Sequence, residues 1–141
     1  MPDAPHLRVY LDSNVLISAC LNQRSGFLDL WRLSNITPVT SRYAIGEVNR
    51  NLRIPVHEVR FKDLLTRTRI VSDADIRLIP SSIALAAKDA PILAAAIAAS
   101  VDYLATGDKN HFAHLYHTIL SGVYVIPPAD FLALHKDRLI A

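Results

Sequence analysis

Leu7-Arg8-Val9-Tyr10-Leu11-Asp12-Ser13-Asn14-Val15-Leu16-Ile17-Ser18 decides the fold. Apart from Arg8, its first five residues are aliphatic or aromatic, and they read as a strand, Leu7 to Leu11, that stops abruptly at Asp12. The next stretch, Asn14 to Leu21, has helical character and runs toward a turn at Ser25-Gly26. An acid placed where a strand gives way to a helix is the first feature that bears on chemistry.

Working outward, the alternation of strand and helix continues. Phe27 to Leu33 reads as a second helix and Ile36 to Thr40 as a short strand. Ser41 is a good N-cap for a helix from Arg42 to Leu52, and Pro55 stops or redirects the chain. Val56 to Thr66 reads as a basic amphipathic helix, and Arg69 to Val71 as another short strand. Ile83 to Ala87 is helical or irregular, and Asp89-Ala90-Pro91 opens an Ala-rich helix reaching Ala99. Tyr103 to Thr106 is a strand, Lys109 to Tyr116 a short helix, and Val123 to Ile126 the last strand. Pro127-Pro128 begins a terminal helix through Lys136, since proline is tolerated in a first turn. The pattern predicts a doubly wound, three-layer α/β/α domain with a central, mostly parallel sheet of about five strands. Ligands of such sheets bind beyond the carboxyl ends of the strands.

Composition agrees with one globular domain over residues 1–141: hydrophobic residues make up 51% and charged residues 20%. The single cysteine, Cys20, has no partner for an internal disulfide and lies among Val15, Leu16, Ile17, Ala19 and Leu21. It is expected to be a buried, inert thiol in a reducing cytoplasm. Residues 1–12 lack an apolar core of signal-peptide length, so no export is expected. The most hydrophobic region, Ile83 to Ala105, is broken by Lys88, Asp89 and Pro91, which speaks for a buried core and against a membrane span.

Four acids stand at strand ends or on helices facing them. Asp12 ends the first strand, Asp108 follows Thr106-Gly107, Glu47 lies in the helix after the second strand, and Asp89 begins the Ala-rich helix. Each has a plainer explanation: Asp12 and Asp89 as helix caps, Asp108 in a Gly-Asp turn, Glu47 as a solvated helix residue. Together they say more, because four converging carboxylates would take up protons unless a cation offset their repulsion. Mg²⁺ or Mn²⁺ suits such oxygen ligands. Between Arg50 and Arg69, six basic residues stand against two acids. A basic surface around an acidic hole suits a polyanion, and an ordinary solvated helix face would carry the same charges.

The run from Val9 to Ser18 resembles the opening motif of PIN domains: a hydrophobic strand, Asp, any residue, then Asn, Ser or Thr before an apolar helix. Ser41 to Val48 is similar to the family's second block, in which a helix presents a Glu. Lys88 to Ala96 looks like the third, an Asp before an Ala-rich helix, and Asp102 to Asp108 like the fourth, a strand followed by Thr-Gly-Asp. In one respect the chain departs from the pattern. Many toxin-type members carry a further Asp before Phe where this chain has His111 before Phe112, which puts in doubt a second-metal site relying on that position.

The resemblance implies a metal-dependent endoribonuclease in which Asp12, Glu47, Asp89 and Asp108 hold one or two Mg²⁺ or Mn²⁺ ions. Asn14, Ser13 and Thr106 would support the carboxylates, with helix capping the plainer role for Ser13, and Arg50 and Arg53 would reach the RNA backbone. It also implies the toxin of a toxin–antitoxin pair, a homodimer silenced by a small antitoxin protein. A housekeeping RNA-processing nuclease and an inactive RNA- or protein-binding module of the same fold are the alternatives. His111, His114 and His117 turn around a helix without sharing a face, so a zinc site of all three is not expected. An aspartyl phosphotransferase would carry a second Asp where Asn14 stands. A receiver domain would carry a Lys where Pro127-Pro128 stands, and no G-x-G-x-x-G marks a dinucleotide site.

Overall fold

The computed structural model describes residues 5–140. Six strands form one sheet: β1 Leu7–Leu11, β2 Ile36–Ser41, β3 Arg69–Val71, β4 Tyr103–Ala105, β5 Ile119–Leu120 and β6 Val123–Ile126. Their order is β3-β2-β1-β4-β6-β5, and every neighbouring pair is parallel except β5 with β6. Six α-helices accompany them: α1 Ser13–Leu21, α2 Arg42–Asn51, α3 Pro55–Thr66, α4 Ala90–Ala98, α5 Lys109–Phe112 and α6 Pro128–Leu134.

Side chains along β1 alternate between two cores. Val9 and Leu11 pack with Val15, Leu16 and Cys20 of α1, Val48 of α2, Phe61 of α3 and Phe131 of α6. Tyr10 points the other way, into Ile92, Leu93, Ala95 and Ala96 of α4 with Leu104, Phe112 and Val125. Two apolar faces on one sheet make the three layers, and explain why the central strands carry few polar residues. The alanines of α4 let that helix lie close to the sheet, with Ala94, Ala95 and Ala96 wholly buried. Cys20 is likewise fully buried, and burial pushes its thiol up to about 11, which leaves it inert.

Several predicted elements take a different form. Pro55 redirects the chain after α2 and is itself the first residue of α3, one residue ahead of the predicted start, where its missing N–H costs nothing. Phe27 to Leu33 is not an α-helix: Gly26–Trp31 forms a 3-10 helix capped by the Ser25 hydroxyl on the Phe27 N–H at 3.2 Å. The predicted helix from Lys109 to Tyr116 divides into α5 and a 3-10 turn, Ala113–Leu115. Ile83 to Ala87 is irregular, and α6 ends at Leu134 before a 3-10 turn at Lys136–Arg138. The strand that sequence reading missed is β5, joined to β6 by Ser121-Gly122 with both residues at positive φ (49° and 86°). A two-residue loop of that kind is the tight hairpin turn that right-handed strand twist favours.

Among the described residues no helix is long and apolar enough to cross a membrane.

Candidate metal centre

From β1 the chain proceeds through β2 to β3 on one side, whereas β4 and β6 lie on the other. The direction of winding therefore reverses between β1 and β4. At such a reversal the loops leaving adjacent strands diverge and open a crevice at their carboxyl ends. Leu11 is in register with Ala105, and the Asp12 N–H donates to the Ala105 carbonyl at 3.1 Å. Asp12 and the Thr106-Gly107-Asp108 segment are thus brought side by side by the ladder itself.

Asp12 is 4% exposed. Its Oδ1 accepts the Ser13 N–H at 2.7 Å, and its Oδ2 accepts the Thr106 hydroxyl at 2.8 Å and the Asn14 amide at 3.4 Å. The capping and site readings of Asp12 are therefore compatible, one oxygen serving each. Burial pushes this carboxyl up to about 6, against the Thr106 and Ser13 hydrogen bonds that hold it down, while Glu47 and Asp89 add repulsion. Asn14 spans the crevice, its Oδ1 accepting the Gly107 N–H at 2.9 Å and its amide reaching Thr106 Oγ1 at 3.4 Å. A Cβ at position 107 would stand 3.3 Å from Asn14 Oδ1, so a side chain there would press on this link. Thr106 Oγ1 in turn accepts the Asp108 N–H at 3.2 Å. Ser13 Oγ lies 3.4 Å from Asp12 Oδ1.

Asp89 stands at the start of α4 with no side-chain cap hydrogen bond, so its carboxylate is not spent on the helix. The residue is 7% exposed, and its Oδ2 is buried without a hydrogen-bond partner. Burial raises the affinity of Asp89 for a proton, with His111 opposing and Asp108 adding to the rise. Asp108 likewise occupies the position before α5 without capping it. His111, on the first turn of α5, puts Nδ1 2.7 Å from Asp108 Oδ2 and 3.1 Å from Asp89 Oδ2. Neither approach has the alignment of a ring N–H hydrogen bond, and Nδ1 is buried without a partner. One oxygen of Asp89, one of Asp108 and the His111 nitrogen all lie within 4.8 Å of one another.

Glu47 is partly buried on α2, near enough for its charge to act on Asp12, and is not part of the cluster that Asp89, Asp108 and His111 form. Arg50 and Arg53 are both exposed, with Arg50 folded back along α2 toward Gly46. Two tyrosines that sequence reading did not single out brace the crevice. The Tyr43 hydroxyl donates to the Lys88 carbonyl at 2.7 Å, tying α2 to the residue before Asp89. The Tyr116 hydroxyl donates to the Thr106 carbonyl at 2.7 Å. Nothing in their sequence context marks them, because both act through distant backbone. His114 and His117, the other two of the three spaced by three, are held elsewhere: His114 Nε2 meets the Ala84 carbonyl at 2.7 Å, and His117 Nε2 lies 3.3 Å from Asp130. Beside the acids lies a groove of about 300 Å³ lined by Asn14, Phe27, Gly107, Lys109, Tyr116 and Pro127.

A crevice of acids at the turning point of a doubly wound sheet is the plan of the PIN domains, and the chain belongs to that family: the PIN-domain family model matches residues 8–110, a span that includes all four acids. PIN domains are generally nucleases and typically use divalent metals. Among solved structures the fold is similar to a chain in the crystal structure of VapBC2 from Rickettsia felis bound to a DNA fragment from its promoter. The TM-score is 0.64 at 14% identity, covering 86% of this chain and 98% of that one. No curated protein matches the chain.

Proposed function

We propose that the protein is a metal-dependent endoribonuclease whose active site is the crevice holding Asp12, Glu47, Asp89 and Asp108. The observation that carries this reading is Asp89: a carboxylate oxygen buried beside other acids, without a hydrogen bond and without a capping role. A buried anionic oxygen left unpaired is costly, and a divalent cation such as Mg²⁺ or Mn²⁺ removes that cost. With Asp89 and Asp108 clustered and Asp12 and Glu47 assigned as further donors, carboxylate oxygens would hold one or two hard cations. Bound there, a divalent ion supplies a Lewis acid that activates water and offsets charge developing on a scissile phosphate.

The chain's own residues prepare the rest. Thr106, Ser13 and Asn14 fix the orientation of Asp12, so little reorganisation accompanies cation binding. Asn14 and Gly107 hold the β1 and β4 loops at one separation, and Tyr43 and Tyr116 anchor the walls behind them. Lys109, which lines the neighbouring groove, and the exposed Arg50 and Arg53 would contact phosphates of the RNA backbone. The likeness to a chain of a VapBC2 structure supports the further reading that the protein is the toxin of a toxin–antitoxin pair. Under it, a small antitoxin protein restrains a homodimer that acts on RNA in the cytoplasm.

The test is cleavage of labelled structured and unstructured RNA with Mg²⁺ or Mn²⁺, with chelator, and by Asp12→Asn. Cleavage that requires the cation and disappears in the variant is the expected result. Cleavage that persists in chelator or in the variant would overturn the assignment.

A further inference from the structure

His111 occupies an unusual place for a histidine. Its Nδ1 is buried, has no hydrogen-bond partner, and points between two carboxylates, one of which is itself unpartnered. A histidine recruited as a counter-ion would turn a ring N–H along one carboxylate lone pair, and this ring does not. The two separations, 2.7 Å to Asp108 Oδ2 and 3.1 Å to Asp89 Oδ2, instead match the edges of a coordination polyhedron. Ligands about 2.1 Å from an octahedral ion stand about 3 Å from one another.

We propose that His111 Nδ1 is a direct metal ligand, completing with Asp89 and Asp108 a mixed nitrogen–oxygen site that prefers first-row transition-metal dications to Mg²⁺. The inference rests on the cation-holding reading of these carboxylates and adds which cation they hold. Mg²⁺ is a hard ion that takes carboxylate and water oxygens. Imidazole nitrogen favours the transition series, with affinity rising from Mn²⁺ toward Zn²⁺. An aspartate at position 111 would keep the site all-oxygen and suited to Mg²⁺. A nitrogen ligand in place of a carboxylate also brings no negative charge of its own, which weakens a purely electrostatic attraction for Mg²⁺. The placement is built in by the fold: α5 starts directly after Asp108, so position 111 returns over Asp108 one turn later and faces Asp89 across the crevice.

The test measures binding of Mg²⁺, Mn²⁺ and Zn²⁺ alone by calorimetry to the wild-type chain, His111→Ala and His111→Asp, each shown folded by circular dichroism. Ring nitrogen resonances of wild-type His111 are followed during Zn²⁺ titration in parallel. The expected result is a wild-type preference for Mn²⁺ over Mg²⁺ of about tenfold or more. His111→Ala lowers Mn²⁺ affinity by about tenfold with Mg²⁺ changed less than about threefold. His111→Asp narrows the preference, and the Nδ1 resonance moves on Zn²⁺ binding. Cations that bind with all affinities unchanged by either variant and with the His111 resonances unmoved would overturn this inference alone. Failure of every cation to bind would overturn it together with the metal-dependent reading of the site.

Discussion

Replacing Asp12 by Asn is expected to stabilise the metal-free protein at neutral pH, although it removes a carboxylate of the proposed active site. In the folded chain burial carries the Asp12 carboxyl from its ordinary 3.8 up to about 6. The folded state therefore holds this proton more tightly than the unfolded state. Below about pH 3 the carboxyl is protonated in both states and costs nothing. As pH rises from about 4 to 6 the unfolded chain ionises first, and folding loses stability. Above pH 6 the loss is complete. Each tenfold change in proton affinity is worth about 1.4 kcal/mol, so the full loss is about 3 kcal/mol.

Asn keeps an oxygen for the Ser13 N–H and turns an amide toward Thr106, whose hydroxyl can accept, so about 1 kcal/mol is given back through imperfect hydrogen bonds. The net gain is about 2 kcal/mol at pH 7.5, or roughly 6 °C in melting temperature for a chain of this size. Urea and thermal unfolding in chelator, at pH 4 and pH 7.5, measure it. At pH 4 the variant should be behind by up to about 1 kcal/mol, and at pH 7.5 it should be ahead. Adding Mn²⁺ should then reverse the order, because only a chain that binds the cation gains stability from it. A variant no more stable than wild type at pH 7.5 in chelator, with an unchanged denaturant slope, would refute the reasoning.

Three further outcomes follow from the geometry. Thr106→Val removes the 2.8 Å donor that holds the Asp12 carboxyl down, so the acid limb of cation binding should move to higher pH by about one unit, read from binding isotherms across pH 5–8. Gly107→Ala presses a methyl on Asn14 Oδ1 at 3.3 Å; unfolding free energy should change by less than about 1 kcal/mol while RNA cleavage falls several-fold, since the strain falls on the link across the crevice. Leu93→Ala, at a wholly buried position on α4, should cost about 2–5 kcal/mol in urea unfolding.

How much of this was legible before folding depends on how local each feature is. The strand ending at Asp12, the capped helix behind Ser41 and the alternation implying a parallel sheet follow from short-range pattern and hydrophobicity. So does the presence of four acids near strand ends. What spacing alone does not reveal is which of two plausible jobs an acid performs. Asp12 caps α1 and faces the crevice at once, whereas Asp89 and Asp108 sit at cap positions without capping. That distinction is set by backbone dihedrals at the helix start, which depend on how the preceding loop arrives. His111 is near the site because α5 begins immediately after Asp108, a detail of one turn. Tyr43 and Tyr116 bond to carbonyls far along the chain and leave no local trace. The β5 hairpin was missed because its first strand is two residues long, although Ser121-Gly122 before Val123 is a turn signal of the right length.

The reversal of winding between β1 and β4 has a consequence for the order of events as the chain is made. Asp12 belongs to the first strand, but Thr106, which orients it, and Asp108 follow the strand that pairs with it only after most of the chain exists. Loop closure over that distance comes late and costs entropy that local helices do not repay. An unfinished chain therefore carries every early acid without the crevice that brings Asp12 beside Thr106 and Asp108. The acids that follow β1 and β4 come together only when β4 docks beside β1.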